Sequence, residues 1–311
     1  MHTAQQRPNI IIFSSSQSLP IAKELEDNLR EVCDCQTWDS CFLYGRSYLD
    51  SLLLLSLAYD ACILVCGADD VTISKDASKP SPRDNVIFEI GLYMGRMGTE
   101  RAMILAQTGV KLPSDLDGIT IWNFSPQDQS DGTHLGSRCL NAMKSYINVL
   151  ARTPQRARIS AAVALNYFYN FLEPLVNYVR DREFSSPDEL PCRCRRIRIQ
   201  LPPNLTLNVH YYAERSLRGY KKMTLQTDKR KDFALHYKVL QEEGGIQEIE
   251  FCDLPYILRM CGTYLAQFFG ECTESPLKMS AEAREIRNFK LVLAQKMKTL
   301  ALDEDFIVFS E

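Results

Sequence analysis

The chain has 311 residues, 45% of them hydrophobic and 24% charged, enough for two ordinary domains with cores of their own. A formal net charge of −3 excludes binding of nucleic acid through bulk positive charge, so any anion site is local. Eleven cysteines, an odd number, lack zinc spacing, and the C-x-C pairs Cys33/Cys35 and Cys192/Cys194 stand isolated, so reduced thiols and no metal are expected.

The opening MHTAQQRPNIII has no signal-peptide pattern. The longest apolar stretch, SLLLLSLAYDACILVC, is broken by Tyr59 and Asp60. It is short of the roughly 20 apolar residues that a membrane span takes. A soluble, cytoplasmic protein with no membrane and no nucleic-acid partner is expected. NIIIF, from Asn9 to Phe13, is a continuous apolar run typical of a strand buried on both faces. The polar loop SSSQS follows. Then comes a helix with Ser18 at its cap, Pro20 in its first turn and Leu25, Leu29 and Val32 on one face. ACILVC, from Ala61 to Cys66, predicts a second buried strand, and GADDVTISKDASKPSPR a long loop after it. The next helix has Asp84 as its N-cap and Val86, Ile87, Ile90, Met94 and Met97 as its core stripe. AMILA and ITIWNF predict two more strands, and a further helix spans about Gly136 to Leu150. Strands alternating with helices predict a parallel sheet covered on both faces.

ARTPQRARIS, from Ala151 to Ser160, is polar and basic and reads as a linker. Beyond it the pattern changes. A long helix runs from about Ile159 to Asp181, kinked at Pro174. RRIRIQLP alternates charged and apolar residues, as a strand buried on one face does. LTLNVHYY, KKMTLQ, FALHYKVL and QEIEF read as further strands, with the basic TDKRKDF as a hairpin tip. Helices over Asp253 to Phe269 and Ala281 to Leu300 precede a last strand, FIVFS.

One acid stands out. Helical spacing puts Glu89, three residues after Val86 and four before Tyr93, among apolar neighbours near the carboxyl edge of the preceding strand. Open parallel sheets bind ligands at that edge. The SSSQS loop opens on the same edge, where its hydroxyls and the free N–H groups of the next helix suit a phosphate or ribose. A carboxylate beside a ribose stabilises an oxocarbenium-like transition state, orients the sugar hydroxyls or acts as a nucleophile. That is the chemistry of N-glycosidic bond cleavage. Spacing alone also fits a surface acid paired with Arg83 or Arg96. No G-x-G-x-x-G or Walker sequence is present to support redox use of NAD or phosphoryl transfer.

NIIIFSSSQSLPIAKELEDNL, LVCGADDV, PRDNVIFEIGLYMGR and LPSDLDGITIWNF together resemble the TIR-like domains of bacterial defence proteins, over about Pro8 to Leu150. The resemblance implies a flavodoxin-like parallel sheet and an NAD+ glycohydrolase whose catalytic residue is Glu89. It places Ser14, Ser15, Trp38, Asp69, Arg83 and Asp84 around the nucleotide. Four of these have a plainer reading: the two serines as turn residues, Trp38 as core, Asp84 as a cap.

Over about Ser160 to Glu311 the order of motifs resembles the cyclic-dinucleotide-binding domain of STING, an α+β fold. The motifs are an aromatic long helix, the IRIQLP strand, a basic lid hairpin, the F-x-D-x-P junction and the closing FIVFS strand. The resemblance implies a homodimer with one cyclic dinucleotide in its cleft. Tyr167 or Phe171 stacks on the bases. Arg230, or else Arg218, reaches the ligand from the lid. Asp253 and Pro255 form the junction, and Asp253 accepts from a guanine edge, which offers N1–H and N2–H₂. Cyclic di-GMP is the expected ligand, with 3′,3′-cGAMP as the alternative. Tyr256 and Ile257 depart from the threonines that bacterial relatives often carry after the proline.

The whole resembles a TIR-STING antiphage effector. Its expected domains are 1–152 and 161–311, with a linker over 153–160. A partner nucleotidyltransferase makes the cyclic dinucleotide, homodimers stack into filaments, and NAD+ is consumed as substrate with no cofactor. Two other readings stand beside it: a non-enzymatic adaptor, and a nucleoside N-glycosidase or deoxyribosyltransferase.

Overall fold

The computed structural model describes residues 7–41, 45–74, 77–125, 135–155, 158–180, 182–205, 209–225, 232–270, 275–303 and 305–310. The chain divides into two compact units, Met1–Ala157 and Arg158–Glu311.

The first unit runs β1 (Asn9–Ser14), α1 (Leu19–Leu29), β2 (Asp34–Thr37), α2 (Tyr48–Ala58), β3 (Ala61–Cys66), β4 (Asp70–Ser74), β5 (Ala77–Ser81), α3 (Asp84–Met97), β6 (Ala102–Gln107), β7 (Ile121–Phe124) and α4 (Ser137–Leu150). Its main sheet has the order β2-β1-β3-β6-β7, and every pairing is parallel. Parallel neighbours need crossover connections, so helices cover both faces and the central strands are apolar throughout. On one face Leu25 and Leu29 of α1 and Met143 and Ile147 of α4 pack with Ile10, Ile12, Ile63 and Val65. On the other, Phe13 of β1 meets Tyr93 of α3 with ring centroids 4.8 Å apart.

The helices α2 and α3 are tied side by side. The Tyr48 hydroxyl donates to Glu89, the Tyr93 hydroxyl donates to the Leu52 carbonyl at 3.0 Å, and Arg96 Nε donates to Ser56 Oγ at 3.3 Å. The rungs advance by about one turn on each helix and in the same sense, so the two run parallel in register.

Several expectations change here. The segment expected as a long loop is the antiparallel hairpin β4–β5, a ribbon apart from the main sheet with Val71 and Ile73 exposed. Its alternation is too short to stand out from loop composition. The N-cap of α3 is Arg83, and Asp84 is the first helical residue, where its charge complements the helix dipole. The buried stripe of α3 is Val86, Glu89, Ile90, Tyr93 and Met97. Ile87 and Met94 lie at its margins, so the stripe is centred closer to the acid than apolar spacing alone suggested. Ser18 stands at the N-cap of α1 without capping it, because its hydroxyl serves Asp69 instead. The sequence pattern does not set β2 or α2 apart as an element.

The second unit runs α5 (Ile159–Tyr167), a π turn over Phe168–Leu172, α6 (Glu173–Val179), β8 (Glu183–Ser185), β9 (Pro191–Gln200), α7 (Val209–Ser216), β10 (Lys221–Leu225), β11 (Phe233–Glu243), β12 (Ile246–Asp253), α8 (Arg259–Phe269), α9 (Pro276–Met297) and β13 (Ile307–Ser310). Its sheet has the order β10-β11-β12-β9-β13, with β8 paired to the start of β9. β9 is parallel to β12 and β13, while β10, β11 and β12 form an antiparallel meander. The long helix is present, and its irregularity has a cause. Pro174 has no N–H to offer the preceding turn, and a π turn absorbs the mismatch.

VHYYAERS is the helix α7, not part of a strand; a short apolar run fits either period, and here the helix prevails. Asp253 ends β12 and caps no helix, since Pro255 and a 3₁₀ turn over Tyr256–Leu258 precede α8. Residues 158 and 160, expected in a linker, are packed into this unit. Arg158 is ion-paired to Glu285 at 3.0 Å, and Glu285 also accepts from the Ser160 N–H at 3.0 Å. α9 starts earlier than expected, at Pro276, because Ser275 caps it by accepting from the Lys278 N–H at 3.1 Å. Ser275→Ala is expected to cost about 1 kcal/mol. Urea unfolding measures this, and an unchanged midpoint would show that the cap contributes nothing.

Candidate functional site

Glu89 is 3% exposed, in the second turn of α3. Its Oε1 accepts from the Tyr48 hydroxyl, while Oε2 is buried and has no hydrogen-bond partner among the described residues. Burial pushes its carboxyl up to about 7, and the Tyr48 hydrogen bond works against that rise. A carboxylate with an unpaired buried oxygen is costly and awaits a donor.

The carboxyl ends of β1 and β3 carry a second cluster. Ser15 Oγ donates to Asp69 Oδ2 at 2.6 Å and accepts from the Ser18 N–H at 3.0 Å. Ser18 Oγ donates to Asp69 Oδ1 at 2.9 Å. Gly67 permits this knot, because a Cβ there would stand 2.1 Å from Ser18 Oγ. Ser14 Oγ accepts from the Trp38 indole N–H at 3.1 Å, so Trp38 is fixed beside the loop rather than enclosed in the core. Sequence reasoning named Ser14, Ser15, Trp38 and Asp69, and the fold joins them in two pairs. Arg83 and Asp84 are exposed at the start of α3. Ser18 is expected only as a helix cap, and Tyr48 carries no expectation. Tyr48 had a signal: Ser47 and Asp50 are spaced as an N-terminal capping pair, and Ser47 Oγ accepts from the Asp50 N–H at 3.1 Å.

In the second unit Asp253 stands at the carboxyl end of β12. Its Oδ2 accepts from the Tyr167 hydroxyl at 2.6 Å. Burial pushes its carboxyl up to about 6, against the opposing Tyr167 hydrogen bond. Tyr167 lies 5.1 Å from the Phe171 ring and 5.7 Å from Phe289, and Phe171 lies 5.7 Å from Phe233, where β11 begins. The Tyr167 ring is buried, while Phe171 is half-buried. What Tyr167 offers directly is therefore a hold on Asp253. Pro255 lines a pocket with Gln200, Tyr212, Tyr256 and Arg259. Arg218 is exposed in the turn after α7. Arg230 lies outside the described residues, on the connection between the antiparallel β10 and β11.

Both sites thus centre on an acid, buried at Glu89 and half-buried at Asp253, whose proton affinity is raised by desolvation and restrained by a tyrosine. Such an acid can accept from sugar hydroxyls or from a base edge at neutral pH. Among the described residues, no helix is long and apolar enough to cross a membrane.

Comparison with known proteins assigns each unit. A family model described as the TIR domain of CAP12/Pycsar effector proteins matches residues 9–126. The prokaryotic STING domain model matches residues 159–294. A CD-NTase-associated protein 12 from Flavobacterium daejeonense is 28% identical over 296 residues, covering 92% of this chain and 93% of that protein. The Pycsar effector protein PaPycTIR from Pseudomonas aeruginosa is 38% identical over 153 residues, 47% of this chain and 49% of its own length. A solved bacterial STING in complex with c-di-GMP is 20% identical, with a TM-score of 0.42, over 50% of this chain and 98% of that one. That last likeness is too distant to carry an inference about ligand.

Proposed function

We propose that this chain, which belongs to the TIR-STING effectors, is an NAD+ glycohydrolase switched on by a cyclic dinucleotide. The observation that carries the catalytic half is Glu89, a buried acid near the ligand-binding edge of a parallel sheet, with one oxygen that has no donor among the described residues. When the nicotinamide–ribose bond breaks, positive charge develops on the sugar. A carboxylate held in a water-poor site stabilises that charge better than water does. Ribose hydroxyls are donors of the kind that a carboxylate accepts from. The cluster of Ser14, Ser15, Asp69 and Trp38 contacts the rest of the nucleotide, with Arg83 and Asp84 at the rim.

The receptor half rests on Asp253. A carboxylate there accepts both donors of a guanine edge, which favours cyclic di-GMP over ligands lacking guanine. Phe171 stacks on the base, Pro255 shapes the pocket, and Arg218 or Arg230 closes over it. The printed name of the Flavobacterium relative, a CD-NTase-associated protein, supports a partner nucleotidyltransferase as the source of the ligand. Ligand binding favours a homodimer that stacks into filaments, shifts the population toward an active assembly and depletes NAD+ during phage infection. The products are nicotinamide and ADP-ribose.

Nicotinamide release from NAD+ by the purified chain tests this directly, with cyclic di-GMP, with 3′,3′-cGAMP and with neither. Release that depends on cyclic di-GMP is expected. No release in the presence of a cyclic dinucleotide that the protein demonstrably binds would leave a sensor without an enzyme.

A further inference from the structure

Tyr48 is 45% exposed, yet its hydroxyl reaches a carboxylate that is 3% exposed. It is the first residue of α2, and its place is set twice over. The Ser47–Asp50 pair caps the helix: Ser47 Oγ accepts from the Asp50 N–H at 3.1 Å and donates to Asp50 Oδ2 at 2.7 Å. The two further rungs, Tyr93 to Leu52 and Arg96 to Ser56, lock α2 in register against α3. A carboxylate has two oxygens in one plane. A donor fixed on Oε1 therefore fixes where Oε2 points, and Oε2 is the one with no partner among the described residues.

We infer that Tyr48 is the positioning residue of the reaction, holding Oε1 of Glu89 and so fixing the plane of the carboxylate that the ribose meets. This rests on the proposed NAD+ hydrolysis. Among the described residues, no cation is one of the groups that act on the acid. On α3 there is Tyr93 and on β3 there are Cys62 and Cys66, each pushed upward in part by Glu89 itself and so neutral at pH 7. Asp69 is the other acid that acts on Cys66. Burial raises the Glu89 carboxyl, and the Tyr48 hydroxyl is the group that lowers it again. Without that hydroxyl the carboxylate is both less ionised at neutral pH and free to rotate.

The test is Tyr48→Phe, which keeps the ring, compared with wild type in kcat, KM and pH profile under activating cyclic di-GMP. The expected result is a fall of about tenfold in kcat, with KM nearly unchanged and the acid limb moved up by about one pH unit. A fall in kcat with the acid limb unmoved would reduce Tyr48 to a structural contact and overturn the inference. Unchanged kcat, or a gain in activity without ligand, would overturn it as well. A second measurement does not depend on turnover: titration of Glu89 by carbon NMR in the full chain, its signal assigned with Glu89→Gln. A higher midpoint in Tyr48→Phe supports the hold on Glu89 even if wild type releases no nicotinamide, in which case the proposed reaction fails alone. An equal midpoint overturns the hold itself.

Discussion

Glu89→Gln abolishes nicotinamide release, with a loss of about a thousandfold or more, and makes the protein more stable at pH 8 than the wild type. The two effects have one origin. The amide keeps the shape of the acid and its hydrogen bond from Tyr48, but carries no charge to meet a developing oxocarbenium ion. It also removes a buried charge that folding must accommodate. The ordinary value for the carboxyl is 4.5, and burial raises it to about 7 in the folded chain. Below the lower of these values the acid is neutral in both states, and the fold is unburdened. Between them the unfolded chain releases its proton while the folded chain keeps it, so stability falls as pH rises. Above the upper value both are ionised, and the loss levels off at about 3 kcal/mol. Urea unfolding at pH 5 and pH 8 measures this. Wild type is expected to lose stability between the two, and Glu89→Gln to lose less by about that amount. Equal pH dependence in the two proteins would mean that Glu89 is not a buried acid in solution.

The second large effect is on the receptor side. Asp253→Asn is expected to weaken cyclic di-GMP binding about a hundredfold, because its amide presents donors to a guanine edge that also presents donors. Binding by wild type should be pH-dependent as well. Burial raises the Asp253 carboxyl to about 6, and only the ionised form accepts from both donors of the base edge. Affinity is therefore flat at higher pH and falls by up to about tenfold per pH unit below that value. Tyr167→Phe removes the hydrogen bond that opposes the rise, so the break in the profile moves to higher pH. Calorimetric titration between pH 5 and pH 8 reads all three. A flat profile in wild type, or undiminished binding by Asp253→Asn, removes Asp253 from the ligand site.

The two halves of the chain share a device on unrelated sheets. Glu89 and Asp253 each sit near the carboxyl end of a strand, and a phenol donor on a helix from elsewhere in the chain restrains each. The phenol spares the acid full neutralisation without supplying a positive charge that would cancel it. An arginine in that place would hold the acid more firmly but neutralise the field that a sugar cation or a base edge needs. Glu250 shows the contrast: Arg196 and Arg198 both pair with it, at 2.5 and 3.0 Å, and its carboxyl lies below the ordinary value. That acid is saturated and has no capacity left for a ligand.

Apart from Asp253, which only the family resemblance marks, the residues alone point to two domains, the parallel sheet, the strands NIIIF and ACILVC, the long aromatic helix and Glu89. Each rests on a local cause: apolar runs and helical spacing report burial within a few neighbours, and a lone acid in an apolar stripe is visible without any partner. The tertiary structure decided what the acids touch. Tyr48 is 41 residues from Glu89, and Tyr167 is 86 residues from Asp253, distances over which spacing carries no information. It also turned Ser18 from a helix cap into a donor to Asp69, a carboxylate that the loop after β3 brings within reach of its hydroxyl. The hairpin β4–β5 and the helix α7 escaped for a related reason. Both are short, and for short segments the packing around them, not their own periodicity, selects the conformation.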